Sequence, residues 1–184
     1  AIGSDEFKER YLQKKITEWI TNVKALARIA VTQPQVAFSA FLQRMQSRWV
    51  FVSRTVPGIS KAFQPLEDAI RQSFIPALVG REVNDLEREL FSLPARYGGL
   101  GIANPCVQSD RQMENSERLT APLLVLILAQ ERCFDAKDMK DIQQKIHKNQ
   151  LAEKHMAHIK KAEDIREKAP RELQLAIDLA SEKG

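Results

Sequence analysis

The chain has 184 residues, 43% of them hydrophobic and 28% charged, with a formal net charge of +4. That length supports one domain with a real core, alone or with a helical appendage. The mild basicity is compatible with a nucleic-acid or other acidic partner without requiring one. The longest apolar run, Ala121 to Ala129, is about half of the roughly 20 residues a bilayer needs, which excludes a helical membrane span and predicts a buried helix instead.

Helical spacing dominates from the start. Phe7, Tyr11, Ile16, Trp19, Ile20, Val23, Leu26, Ala27 and Ala30 mark an amphipathic helix over 4–31, with Ser4 as its N-cap and acids in its first turn. Thr32 and Gln35 have the spacing of a capping box, and Pro34 suits a first turn. A second helix follows to Thr55, its stripe formed by Phe38, Phe41, Leu42, Met45, Trp49 and Val52. Both tryptophans, Trp19 and Trp49, fall on core stripes. Val56-Pro57-Gly58 ends this helix. A third helical region covers 59–80, where Pro65 opens a helix, Pro76 is expected to kink or end it, and Gly80 caps it. Asn84 and Glu87 form the capping pair of a short helix over 85–92.

Three of the seven glycines then crowd into "LPARYGGLGIANP" (93–105). This stretch is neither GxGxxG nor GxxxxGK[ST], and no lysine closes it. It follows a helix rather than a strand. It reads as a turn needing positive φ at Gly98 and Gly99, then a short extended piece over 100–103. A fifth helix is predicted over 109–132, interrupted or bent near Pro122. After Phe134 the chain becomes highly charged, with sparse apolar residues and no sustained heptad, and predicts a long solvent-exposed helix. Pro170 starts a last helix with a narrow stripe of Leu173, Ala176, Ile177 and Ala180. The expected architecture is all-α: an irregular multi-helix bundle over 1–133 with a Gly-rich turn, and a charged helical extension over 134–184. The abrupt ends read as those of a piece of a larger protein.

No catalytic constellation emerges. The histidines His147, His155 and His158 lie in the charged tail, and His155 with His158 lacks a third ligand nearby, so neither a metal site nor a cofactor is expected. Serines have no nucleophile-elbow context, and no paired-aspartate motif for nucleotidyl transfer is present. Glu67 and Asp68, like Glu87 and Glu89, read as helix-surface charges. The two cysteines, Cys106 and Cys133, have no CxxC spacing and point to a reduced, intracellular compartment, cytoplasmic or nuclear.

Charge distribution is the better signal. From Phe41 to Arg81 six bases face two acids, whereas from Glu82 to Gln130 seven acids face four bases. At 100° per residue the core stripe of the second helix leaves Arg44, Ser47, Phe51 and Arg54 on another face, with Arg48 flanking it. An aromatic among arginines can grip a phosphate backbone and stack a base. The same pattern also arises when Phe51 packs on a neighbouring helix and the arginines are solvated or paired.

Several strings taken in order, "DEFKERYLQKKITEWITNVKALARIAVTQPQVAFSAF", "RWVFVSRTVPGIS", "QPLEDAIRQSFIPALVGR", "DLERELFSLPARYGGLGIANP" and "LTAPLLVLI", resemble the region that follows the polymerase palm in reverse-transcriptase proteins of animal retrotransposons. The similarity covers about 1–130, and the charged tail matches more loosely. The resemblance implies a non-catalytic, thumb-like or connecting segment. Its partners would be the palm domain of the parent RNA-directed DNA polymerase and the RNA or DNA template–primer backbone, without a membrane or a small-molecule substrate. Charge and helix geometry then nominate Arg44, Arg48, Phe51, Arg54 and Lys61 as nucleic-acid contacts, with Arg96 beside the glycine turn as an outlying candidate. The alternative is a helical protein–protein interaction or self-association module acting through the tail.

Overall fold

A computed structural model describes residues 4–130 and 135–181. It is all-α, with no strand among the described residues. Helix α1 (Asp5–Ala30) is capped by Ser4, whose Oγ accepts from the Phe7 N–H at 3.3 Å. Its buried face is Leu12, Ile16, Trp19, Val23, Ala27 and Ala30. Phe7 and Tyr11, expected on this stripe, are instead exposed and stack on each other, ring centroids 6.5 Å apart.

Helix α2 (Pro34–Ala40) runs through a π-helical turn (Phe41–Met45) into α3 (Ser47–Thr55). The expected capping box at Thr32 and Gln35 does not form. Gln33 is the N-cap residue, without a side-chain cap, and the Thr32 hydroxyl turns back to donate to the Ile29 carbonyl. The next rod has the same build: a 3-10 turn (Lys61–Phe63), α4 (Gln64–Ala69), a π turn (Ile70–Phe74) and α5 (Ile75–Val79). The helix passes Pro76 rather than ending there. The Ile75 N–H reaches back five residues to the Ile70 carbonyl, so the proline falls in the first turn of α5, where no N–H is needed. Gly80, with φ 75°, stops it.

These rods enclose an aromatic core. Trp19 meets Trp49 and Phe63 edge-on, each at 6.1 Å, and Phe41 stacks on Phe74 at 4.5 Å. Such pairs contribute about 0.5–1.5 kcal/mol each beyond the area they bury. The Trp49 indole N–H finds its partner in Gln108 Oε1 at 3.3 Å.

Helix α6 (Asp85–Phe91) carries the complete Asn84–Glu87 capping box. Glu67 and Glu87 are not surface charges. Glu67 is buried against Arg88, and Glu87 is nearly buried against Arg81. The glycine stretch folds back on the end of α6: Gly101 N–H donates to Leu93 O and Ile102 N–H to Phe91 O, carbonyls the helix leaves without partners. The positive-φ residues are Gly98 and Gly101, not Gly99. Gly99 is required for a different reason, since a Cβ there would strike the carbonyl oxygens of Leu93 and Leu90. The extended piece over 100–103 pairs with a side chain instead of a strand: Gln46 Nε2 donates to Gly101 O, and Gln46 Oε1 accepts from Ala103 N–H.

Helix α7 (Pro105–Leu128) starts four residues earlier than expected, because Asn104 Oδ1 caps the N–H groups of Cys106 and Val107. It continues without interruption past Pro122. Its predicted end at Arg132 and Cys133 lie outside the described residues. The apolar run expected to be buried is largely exposed: Leu124, Val125, Ile127 and Leu128 are 55–75% accessible. Helix α8 (Ala136–Lys168) leaves them uncovered, and its own buried residues are Met139, Gln150 and Ile165. Helix α9 (Arg171–Ser181) closes a second small core, in which Ile165 and Ile177 join Leu90 and Leu93 of the α6 end. The side chains of Ala176 and Ala180 lie outside the described residues.

Candidate nucleic-acid interface

Arg44, Arg48, Phe51 and Arg54 are all exposed on the α2–α3 rod, whose buried residues include Phe41, Met45, Trp49 and Val52. Phe51 is 72% accessible and does not pack into a neighbouring helix. Arg54 sits at one edge, where its Nε donates to Gln112 Oε1 of α7 at 2.8 Å. Arg48 sits at the other edge, 3.8 Å from Glu18 of α1.

A shallow cleft between α1 and α3 is lined by Tyr11, Lys15, Glu18, Arg48 and Phe51. Glu18 is the one acid among its lining residues, and it already bonds Lys15 Nζ at 2.9 Å. That hydrogen bond, then the charges of Lys15 and Arg48, hold the Glu18 carboxyl below its ordinary range. The cleft therefore presents Lys15 and Arg48 against the single acid Glu18 with two exposed aromatics, Tyr11 and Phe51, and is net positive, while Arg44 and Arg54 are exposed elsewhere on the α2–α3 rod. Lys15 and Tyr11 were not legible as part of this surface, because their position depends on how α1 docks beside α3.

The other two predicted contacts lie elsewhere. Lys61 is exposed on the 3-10 turn that precedes α4. Arg96 lies in the 3-10 turn Ala95–Tyr97, which packs against α8 and α9. Its guanidinium lies over the Tyr97 ring, 5.0 Å from the centroid, and its Nη2 is 3.0 Å from His155 Nδ1 of α8. The Tyr97 hydroxyl reaches the same nitrogen at 2.9 Å. His155 is thus engaged with the glycine turn. Among the described residues no group of three or more His, Cys, Asp or Glu side chains is placed to hold a metal.

A much larger cleft, about 1040 Å³, opens between α7, the middle of α8, and the end of α6 with its glycine turn. Polar contacts hold its α7–α8 edge: Arg118 makes a bidentate pair with Glu153 at 2.7 and 2.9 Å, and Gln150 Nε2 donates to Asn115 O. Arg111, Lys154, His158 and Lys161 line the interior. Burial, followed by the charges of Lys154, Arg111, Arg96 and His155, pushes the His158 imidazole down to about 4. Lys161 is also lowered, chiefly by burial. Helical spacing of Lys154, His158 and Lys161 was visible in the sequence. Their meeting with Arg111 was not, since it requires α8 to fold back along α7.

Compared with family models, curated proteins and solved structures, the chain matches none. Among the described residues no helix is long and apolar enough to cross a membrane.

Proposed function

We propose that this chain is the non-catalytic helical module behind the palm of a retrotransposon-type reverse transcriptase, and that it contacts the backbone of the template–primer duplex inside the cell. The observation that carries this reading is the ridge where Arg48 and the exposed Phe51 of α3 line one cleft with Lys15 and Tyr11 of α1, with Arg44 exposed in the π turn before them. Cations supply phosphate contacts, and an exposed ring supplies a surface for a terminal or frayed base. The sequence resemblance gives the polymerase context.

The test is duplex binding measured across a salt series. Arg44→Ala with Arg48→Ala should weaken binding and flatten the salt dependence by about 1.8 in logarithmic slope, because each phosphate neutralised on duplex DNA accounts for about 0.9. Both side chains are exposed, so the fold should be retained. Wild-type affinity and slope in the double variant would remove the ridge from the interface.

A second reading, self-association or protein docking, is favoured by the exposed apolar end of α7 rather than by the tail. Sedimentation equilibrium separates the two. Leu124→Glu with Leu128→Glu should dissociate any oligomer while leaving duplex binding intact, and a monomeric wild-type chain would eliminate self-association.

A further inference from the structure

The large cleft carries positive charge that the α3 ridge does not use. Arg111 enters from α7, and Lys154, His158 and Lys161 from α8. Arg88 also borders the cleft, but Glu67 neutralises it. The remaining acid in the lining is Glu89, 4.0 Å from Lys161 Nζ. Arg111 and Lys154 take part in none of the ion pairs among the described residues. Three helix-borne cations, Arg111, Lys154 and Lys161, thus line the cleft with Glu89 as the single acid in its lining.

The remaining chemistry of the walls narrows the ligand. Gln108, Gln112 and Asn115 offer amide hydrogen bonds, and no Phe, Tyr or Trp lines the cleft. These amides and the cations can bind phosphate oxygens, Leu93, Val107, Leu119 and Leu151 add apolar wall, and no ring is present to stack a base. The volume lies at the upper limit of the range of about 300–1,000 Å³ typical of small-molecule sites. A volume of about 1040 Å³ suits a short stretch of one strand rather than a duplex, with its phosphates on the cations and its bases turned outward.

We propose that the cleft between α7, α8 and the glycine turn is a second nucleic-acid site, which takes one phosphodiester strand through Arg111, Lys154 and Lys161. This inference rests on the reading of the chain as a nucleic-acid-binding module, but it uses different residues from the duplex ridge. The state of His158 agrees with it. Lys154 and His155 flank the imidazole on its own helix, Arg111 faces it from α7, and Arg96 and the Tyr97 ring face it from the glycine turn. Its proton is therefore expelled by burial and by positive charge that a bound polyanion would offset.

The experiment compares a short oligothymidylate with a blunt duplex of equal length on three proteins: wild type, Arg111→Ala/Lys154→Ala, and Arg44→Ala/Arg48→Ala. The cleft variant should show about tenfold weaker oligothymidylate affinity and a salt slope shallower by about 1.4, at about 0.7 for each phosphate neutralised on a single strand, with duplex affinity unchanged. In wild type, adding oligothymidylate should raise the His158 pKa seen by NMR. Unchanged strand affinity in the cleft variant, or an unmoved His158, overturns the proposal. The two readings fail separately. Duplex binding abolished only in the ridge variant, with strand binding indifferent to the cleft variant, leaves the ridge standing and removes the cleft. Strand binding abolished in the cleft variant, with no duplex binding by wild type, does the reverse.

Discussion

Arg88 of α6 and Glu67 of α4 form a bidentate ion pair in the interior, with Nε and Nη2 donating to the two carboxylate oxygens at 2.7 Å each. Both side chains are only 6% exposed. The third guanidinium nitrogen, Nη1, donates to Ile102 O at 2.8 Å, so one side chain fastens α4, α6 and the end of the glycine turn together. Removing either partner strands the other charge out of water. Arg88→Met is expected to cost about 3–5 kcal/mol in denaturant unfolding, and Glu67→Leu added to it should return much of that loss. A double variant no more stable than the worse single variant would show that the pair is not energetically coupled.

Glu87 gives the fold an acid-sensitive component. The Arg81 guanidinium, 2.5 Å away, and the Asn84 backbone N–H hold its carboxyl below the ordinary value of 4.5, against an opposing effect of burial. A depressed folded-state pKa stabilises the native state fully above the unfolded value, and that contribution disappears as pH falls through the folded value. Unfolding midpoints measured from neutral pH downward should therefore drop in wild type. Glu87→Gln should be less stable at neutral pH and show a shallower acid decline, and parallel curves would refute the assignment.

The two kinds of glycine in the turn should respond differently to alanine. At Gly99 the new methyl meets backbone carbonyls that cannot rotate away, and a loss of about 1–3 kcal/mol or more is expected. At Gly101 space is available and only the φ of 70° is strained, at about 1–2 kcal/mol. Thermal unfolding of the two variants checks the order, with Gly99→Ala the less stable.

Cys106 should be a sluggish thiol. Burial, then the carboxylates Glu67 and Asp68, push its pKa up to about 11 from an ordinary 9.0. At pH 8 that leaves about a hundredfold less thiolate than an unperturbed cysteine. In a Cys133→Ser background, iodoacetamide should modify Cys106 correspondingly slowly. Alkylation at the rate of free cysteine would contradict the raised value.

The features legible in the sequence are those that depend on near neighbours. Ser4, the Asn84–Glu87 box and Gly80 act within one turn, and each caps as its spacing predicts. The apolar stripes over 16–30 and 41–52 are also local signals. The all-α class follows from them. What sequence could not supply is which helix lies beside which. Glu67 and Arg88 are 21 positions apart, and nothing in either neighbourhood marks them as a buried pair. Leu124 to Leu128 belong to the longest apolar run in the chain, yet they need a partner face that the sparsely apolar α8 does not provide. The α3 arginines were visible because one helix carries them, while the α7–α8 cleft is assembled from several segments.

The π turns at 41–45 and 70–74 carry a consequence for how this fold tolerates change. Each closes a hydrogen bond five residues back, Gln46 N–H to Phe41 O and Ile75 N–H to Ile70 O, so each acts as one residue spliced into an α-helix. Phe41, which opens the first turn, and Phe74, which closes the second, are the pair that stacks in the core. Deleting one residue from the first turn would restore the α-helix with the bearing of later residues kept, whereas rewinding it as α-helix with every residue in place would rotate everything beyond it by about 100°. Trp49 would swing out of register with Trp19, and Arg48, Phe51 and Arg54 would be aimed at new quadrants. The splice sets the compass bearing of the whole basic ridge.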